Sequence, residues 1–197
     1  MLQRKLYLHF PLQKHLVFLL FSAIALDCLY VYLPIFEMKL SFVSIPLIAI
    51  GWIYGTPIGF LSGLVVDLIS LSWESSFSWL FLLQPALIGS LGGIMKYFHY
   101  ASLAWLNVLL HCIAIYFFNP FFVLISLLIS SLLAIKYKEA FNVLLLNAVI
   151  VSLIYGTYCA SQYSLVPYST LLSVRMAKES VKIILATIPL TYLLRNE

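Results

Sequence analysis

The sequence predicts an all-α, polytopic transmembrane helical bundle, and three observations carry that prediction. Of the 197 residues, 63% are apolar and only 9% are charged, against about 45–50% and about 25% in soluble domains. Mean hydropathy is +1.06 over the whole length, and no stretch is long and polar enough to form a separate soluble domain. Apolar runs recur along the chain, divided by short polar or Gly/Pro breaks. The expected architecture is a single integral membrane domain, residues 1–197, with six core spans and one extra helical hairpin, up to eight segments in all.

Residues 1–15 are basic and precede an apolar run too long for a cleaved signal, with no small-residue cleavage site behind it. That run is the first span, residues 16–36, closed by Pro34 and the polar turn Glu37-Met38-Lys39. Residues 42–55 and 57–73 form a tight helical hairpin, divided at Gly55-Thr56-Pro57, because glycine frees the backbone and proline cannot continue a helix. After Trp73-Glu74-Ser75-Ser76 comes a span over 79–95, ending at the basic patch Lys96-Tyr97-Phe98-His99. Residues 102–135 as one helix would measure about 51 Å, beyond a hydrocarbon core of about 30 Å. The segment therefore folds back, with Asn119-Pro120 as the hinge, either crossing twice or re-entering. Lys136-Tyr137-Lys138-Glu139 closes it; a span over 140–158, an outer loop over 159–168 and a last helix over 169–194 complete the chain.

Orientation follows from the distribution of basic residues. With both termini cytoplasmic, Arg4, Lys5, Lys14, Lys96, Lys136, Lys138 and Arg195 lie inside and only Lys39 lies in an outer loop. The charge is scattered at segment ends, so nucleic acid is not an expected partner. Cys28, Cys112 and Cys159 are odd in number and lack ligand spacing, which supports neither a disulfide framework nor a metal site. No Walker A loop, HExxH or GxSxG is present, so no enzyme activity and no cofactor is expected, and uphill transport would draw on other subunits or an ion gradient.

Glycines at four-residue spacing, Gly51/Gly55, Gly59/Gly63 and Gly89/Gly93, offer flat faces for close helix packing, within the chain or against a partner. Ser22, Ala23 and Ala25 suggest a comparable face on the first span, open to another subunit. Charges inside spans are informative, because each costs at least about 2.5 kcal/mol near the bilayer centre. Asp27, Asp67, Arg175, Lys178, Glu179 and Lys182 qualify. Arg175, Lys178 and Lys182 share one helix face, with Glu179 placed to pair with Arg175 and with Asp27 and Asp67 available to neutralise the two lysines. Arg175, about 10 Å in from the helix start, is the best candidate for a ligand carboxylate, which a guanidinium takes through two parallel hydrogen bonds. Trp73, Trp79, Tyr163 and Tyr168 gather at the same level, as an interfacial belt or as stacking partners for a flat ring. Gln84 and Asn147 are uncharged polar residues within spans, suited to interhelical bonding or to ligand.

Several of these stretches together resemble a known family. Lys39-Leu40-Ser41-Phe42-Val43-Ser44-Ile45-Pro46, then Gly51, Tyr54-Gly55, Gly59, Gly63 and Val66-Asp67, is similar to the substrate-binding S components of energy-coupling factor (ECF) vitamin transporters, in particular the folate-specific branch. Ala86-Leu87-Ile88-Gly89-Ser90-Leu91-Gly92-Gly93 resembles that family's next element, Ala-Leu-x-Gly-x-x-x-Gly. Leu146-Asn147 through Leu153-Ile154-Tyr155-Gly156 resembles its Leu-Asn-Thr to Leu-Tyr-Gly segment, with Ala148 in place of the Thr, and Arg175-Met176-Ala177-Lys178 with Ile188-Pro189 resembles its closing helix. The chain departs from the six-helix pattern by the added material of residues 102–135.

The resemblance implies a subunit that captures a folate-like or other small anionic vitamin from the outer face, through Lys39, Trp73, Trp79, Asn147, Arg175 and Lys178. It also implies a membrane coupling subunit and two cytoplasmic ATPases as partners, with Ser22, Ala23 and Ala25 as the docking face. The main rival is a structural membrane scaffold of the rod-shape determinant type, whose Gly-rich hairpin with a terminal Asp is similar to residues 55–67. An intramembrane enzyme would need Asp27, Asp67, Lys178 and Lys182 to converge.

Overall fold

A computed structural model describes residues 9–28, 31–33, 38–72, 79–97 and 103–195. Among them are eight helices: α1 His9–Cys28, α2 Ser44–Tyr54, α3 Thr56–Leu71, α4 Trp79–Met95, α5 Ala104–Phe117, α6 Pro120–Lys136, α7 Lys138–Tyr163 and α8 Tyr168–Arg195. Among the described residues the regular structure is helical apart from one short antiparallel ribbon, β1 Val31–Leu33 with β2 Met38–Leu40. That ribbon corrects the expected first span. The helix starts at His9 and ends at Cys28, and residues 31–33 are extended, Tyr32 opposite Lys39 and Leu33 opposite Met38. Pro34 disfavours helix at Leu33 before it, and Val-Tyr-Leu suits a strand. Met38 and Lys39, expected in a polar turn, belong to β2.

The break between α2 and α3 falls at Gly55, as its sequence requires. Gly55 has φ 93°, in the left-handed region that only glycine enters at low cost, and Pro57 sits in the first turn of α3, where its missing N–H is harmless. α2 is apolar all round and accordingly central: its first nine residues, from Ser44 to Trp52, are buried. It packs against α1, α3, α4 and α8.

The spaced glycines serve this internal packing. A Cβ on Gly51 or Gly59 would strike the Gly89 carbonyl, one on Gly63 the Pro85 carbonyl, and one on Gly92 the backbone of Ile48. Backbone therefore lies on backbone where α2, α3 and α4 meet, the arrangement that small residues permit between apolar helices.

Residues 103–136 fold back at the expected hinge. Pro120 opens α6, and the Asn119 side chain caps it by accepting a hydrogen bond from the Phe121 backbone N–H at 3.0 Å. By helical rise α5 and α6 are about 21 and 26 Å long, and both lie against α8, with α6 also touching α7. A buried polar ladder joins the two arms. Asn107 Nδ2 donates to Ser130 Oγ at 3.0 Å, and His111 Nδ1 lies 2.8 Å from the Asn107 carbonyl. A carbonyl only accepts, so Nδ1 carries the proton and Nε2 accepts from Ser126 Oγ at 3.2 Å.

One helix among the described residues, Lys138–Tyr163, is long and apolar enough to cross a bilayer; five others are apolar but shorter. The outer surfaces of α1, α3 and α6 expose large apolar side chains, including Phe18, Phe21, Leu61, Leu68, Leu128 and Leu132.

Candidate functional site

The middle of α7 is a π-helix, Ala148–Gly156, and α8 lies against it. A π-helical stretch widens the helix and frees carbonyls from the regular ladder, and such stretches collect at functional sites. Here the carbonyl of Ser152 receives two side chains: Arg175 Nη1 from α8 at 3.4 Å, and Thr157 Oγ1 from its own helix at 3.4 Å. Among the described residues this is the one hydrogen bond of the Arg175 guanidinium. One turn deeper along α8, Lys182 Nζ lies 3.8 Å from Glu179 Oε2, a long ion pair between largely buried side chains. Half-buried Lys178 makes no hydrogen bond or ion pair among the described residues.

These pairings differ from the expected ones. Glu179 pairs with Lys182 and not with Arg175, and neither Lys178 nor Lys182 is matched by Asp27 or Asp67 among the described residues. Glu179 is one turn from both Arg175 and Lys182 on the same helix; its carboxylate lies against Lys182, and Arg175 donates instead to the Ser152 carbonyl of the π segment.

Asn147 stands at the start of the π segment. Its side chain is 5% exposed, and among the described residues neither its Oδ1 nor its Nδ2 has a hydrogen-bond partner, nor does the buried Ser44 hydroxyl. Both line a cavity of about 20 Å³ that also meets Gln84, Ser152, Glu179 and Lys182. A second cavity, of about 30 Å³, lies between the α5–α6 hairpin and α7–α8 and is lined by Asn107, His111, Ser126, Ser130, Glu179 and Ser180. Each volume suits one or two waters, and Glu179 faces both. A wider recess of about 600 Å³ opens at the opposite end, between Trp52, Tyr54, Gly93, Lys96, Tyr97 and Glu139.

The fold thus brings Asn147 and Arg175 to the α7–α8 contact, with Lys178 one turn along α8 from Arg175. Trp73 lies outside the described residues, as do the side chains of Lys39 and Trp79; β2, which carries Lys39, packs beside α8. Tyr163 and Tyr168 are exposed near the Arg175 end. No protein-family model matches the chain. No curated protein matches it either.

The expected docking face on α1 is divided: Ser22 and Ala25, three residues apart, lie toward one side, and Ala23 turns into the chain. Ala23 is fully buried within the chain, Ala25 is exposed and Ser22 is intermediate, its hydroxyl bonded back to the Leu19 carbonyl at 2.8 Å. Residues two apart on a helix point about 160° from one another, so Ala23 and Ala25 serve opposite surfaces.

Ser152, Ser44 and the Asn107–His111–Ser126–Ser130 ladder carry no role in the sequence reading. The ladder had a signal: two polar pairs at i, i+4 spacing, placed symmetrically about the Asn119-Pro120 hinge. The π segment had none, since nothing in Ala-Val-Ile-Val-Ser-Leu-Ile-Tyr-Gly distinguishes it from α-helix.

Proposed function

We propose that the chain is the substrate-capture membrane subunit of an ECF-type vitamin importer, taking a folate-like or other small anionic compound from the outer face. The observation that carries this reading is the excess of cations on α8: Arg175 and Lys178 are partly buried, neither is in a salt bridge among the described residues, and the neighbouring carboxylate, Glu179, lies against Lys182. Cations are rarely kept in so apolar a chain without a counter-ion, and a bound anion would supply one. Asn147, buried with both amide atoms unused, adds a donor and an acceptor nearby. The resemblance adds Lys39, Trp73 and Trp79 from elsewhere in the chain, the tryptophans to stack a flat ring.

The chain is read as polytopic, with both termini cytoplasmic, its exposed apolar side chains facing lipid. The resemblance further supplies a coupling subunit and two cytoplasmic ATPases as partners. The test is folic acid titrated against the purified protein, with mass spectrometry of any small molecule it carries. Binding that falls roughly tenfold or more in Arg175→Ala supports the reading. An unchanged dissociation constant removes Arg175 from the site.

A structural scaffold of the rod-shape determinant type is the second reading, and one observation favours it. The two cavities that Glu179 lines measure about 20 and 30 Å³, whereas small-molecule sites usually hold about 300 Å³ or more. Protein that carries no vitamin and copurifies with cell-wall machinery would decide for the scaffold.

A further inference from the structure

Gly156 closes the π segment with φ −65° and ψ −36°, ordinary right-handed helix that any residue adopts. Its backbone conformation therefore does not call for glycine, and glycine is a poor helix former. What does call for it is the neighbour across the contact. A Cβ on Gly156 would lie 2.5 Å from Arg175 Nη1 and 3.3 Å from Arg175 Cζ; the other close atom, the Val151 carbonyl oxygen, is at 3.1 Å. The missing side chain leaves a notch in α7 that the guanidinium fills, one N–H bonded to the Ser152 carbonyl at the notch wall.

We infer that Gly156 is a positioning residue: the notch it leaves, with the Ser152 carbonyl, fixes the Arg175 guanidinium in the pose that meets an incoming anion. The inference rests on the anion-capture reading and deepens it. A single bond to a neutral carbonyl occupies one of the five guanidinium donors. Confinement in the notch restricts a rotamer-rich side chain before the ligand arrives, and a pre-ordered side chain loses less freedom on binding. Because the closest clashing group is the tip of a flexible side chain, Gly156→Ala displaces the arginine, while the Val151 carbonyl at 3.1 Å has to give by only a few tenths of an ångström.

Two measurements on the purified full chain test this. The first needs no ligand: the rate at which phenylglyoxal modifies Arg175, read by peptide mass spectrometry, rises in Gly156→Ala because the guanidinium leaves the notch. An unchanged rate overturns the inference. The second is folic acid affinity in a double-mutant cycle. Gly156→Ala weakens binding roughly three- to tenfold and has no further effect on top of Arg175→Ala. An equal loss in both backgrounds assigns Gly156 to the helix alone and overturns the positioning role. If reactivity rises while folic acid binds no form of the protein, the capture reading fails and the notch stands. Should the alanine variant not fold, the unsubstituted protein decides: phenylglyoxal modifies Arg175 more slowly than the exposed Arg195, and equal rates overturn the confinement.

Discussion

Glycine does different work in two parts of this molecule. In the α2–α3–α4 seam, Gly51, Gly59, Gly63, Gly89 and Gly92 each face the backbone of another helix, which cannot give way. In α7, Gly156 faces the tip of Arg175, which can. The first region is packed backbone on backbone and mostly apolar, with the buried Ser44 hydroxyl at its edge. The second holds a π-helix and, among the described residues, two cations in no salt bridge and a buried amide without a hydrogen-bond partner, with two water-sized cavities beside them. Close-packed backbone has little room for alternatives, while unsatisfied polar groups are retained at a cost that invites a functional explanation. Rigidity and chemistry are thus segregated, the glycine seam supporting the helices against which the polar face of α8 is set.

The largest effect is expected in the seam. Gly89→Val places a branched side chain against the Gly59 carbonyl and Cα, and the helices must part; a loss of about 3 kcal/mol or more is expected, at the upper end for overpacking. Thermal unfolding in detergent measures it. A Tm close to that of the unsubstituted protein would mean that α3 and α4 do not lie backbone to backbone. Arg175→Ala should show the opposite profile: a loss of about 1.4 kcal/mol or more in anion binding, the equivalent of tenfold, with little change in Tm. Ser152 loses only a long hydrogen bond, and its carbonyl keeps Thr157.

The same contrast governs how much could be read in the sequence. The seam was legible because glycine spacing and the Gly55-Thr56-Pro57 break express backbone requirements directly, and the Asn119-Pro120 hinge was legible for the same reason. The end of α1 was not, because Leu29 to Tyr32 is apolar enough to continue a helix and only the pairing of Tyr32 with Lys39 selects a strand. Ion-pair partners were not legible either. Sequence paired Glu179 with Arg175, whereas in the structure Glu179 lies against Lys182 and Arg175 donates to the Ser152 carbonyl, a partner on another helix that spacing along α8 does not reveal. Ala23 and Ala25 show a plainer error: small residues near one another in sequence do not share a helix face unless their spacing is three or four.

Asn147 offers a finer comparison, because stability and function should move in opposite directions. Replacing its unpartnered amide with leucine removes a buried polar group that has no hydrogen bond, and relieving such a group is worth about 1 kcal/mol. Asn147→Leu should therefore raise Tm while weakening folic acid binding. A fall in Tm would show that the amide is bonded through water in the cavity it lines.

The smallest effect is expected in the α5–α6 ladder, which is polar like the α7–α8 contact but satisfied like the seam. Asn107 bonds Ser130, His111 bonds the Asn107 carbonyl and Ser126, and Ser130 also donates to the Leu127 carbonyl at 3.0 Å. Side-chain hydrogen bonds between apolar helices average only about 0.6 kcal/mol, because the separated helices find other partners. Asn107→Ala should lower global stability by about that amount and leave Ser130 its bond to Leu127. Its larger consequence should be local. With one rung gone the hairpin opens more readily from α8, and amide exchange in α5 and α6 should rise while α2 and α4 stay protected. Uniform exchange across all helices would make the hairpin part of one cooperative unit with the glycine seam, and the division of the molecule into a rigid and a polar half would then be a difference of composition without a difference in stability.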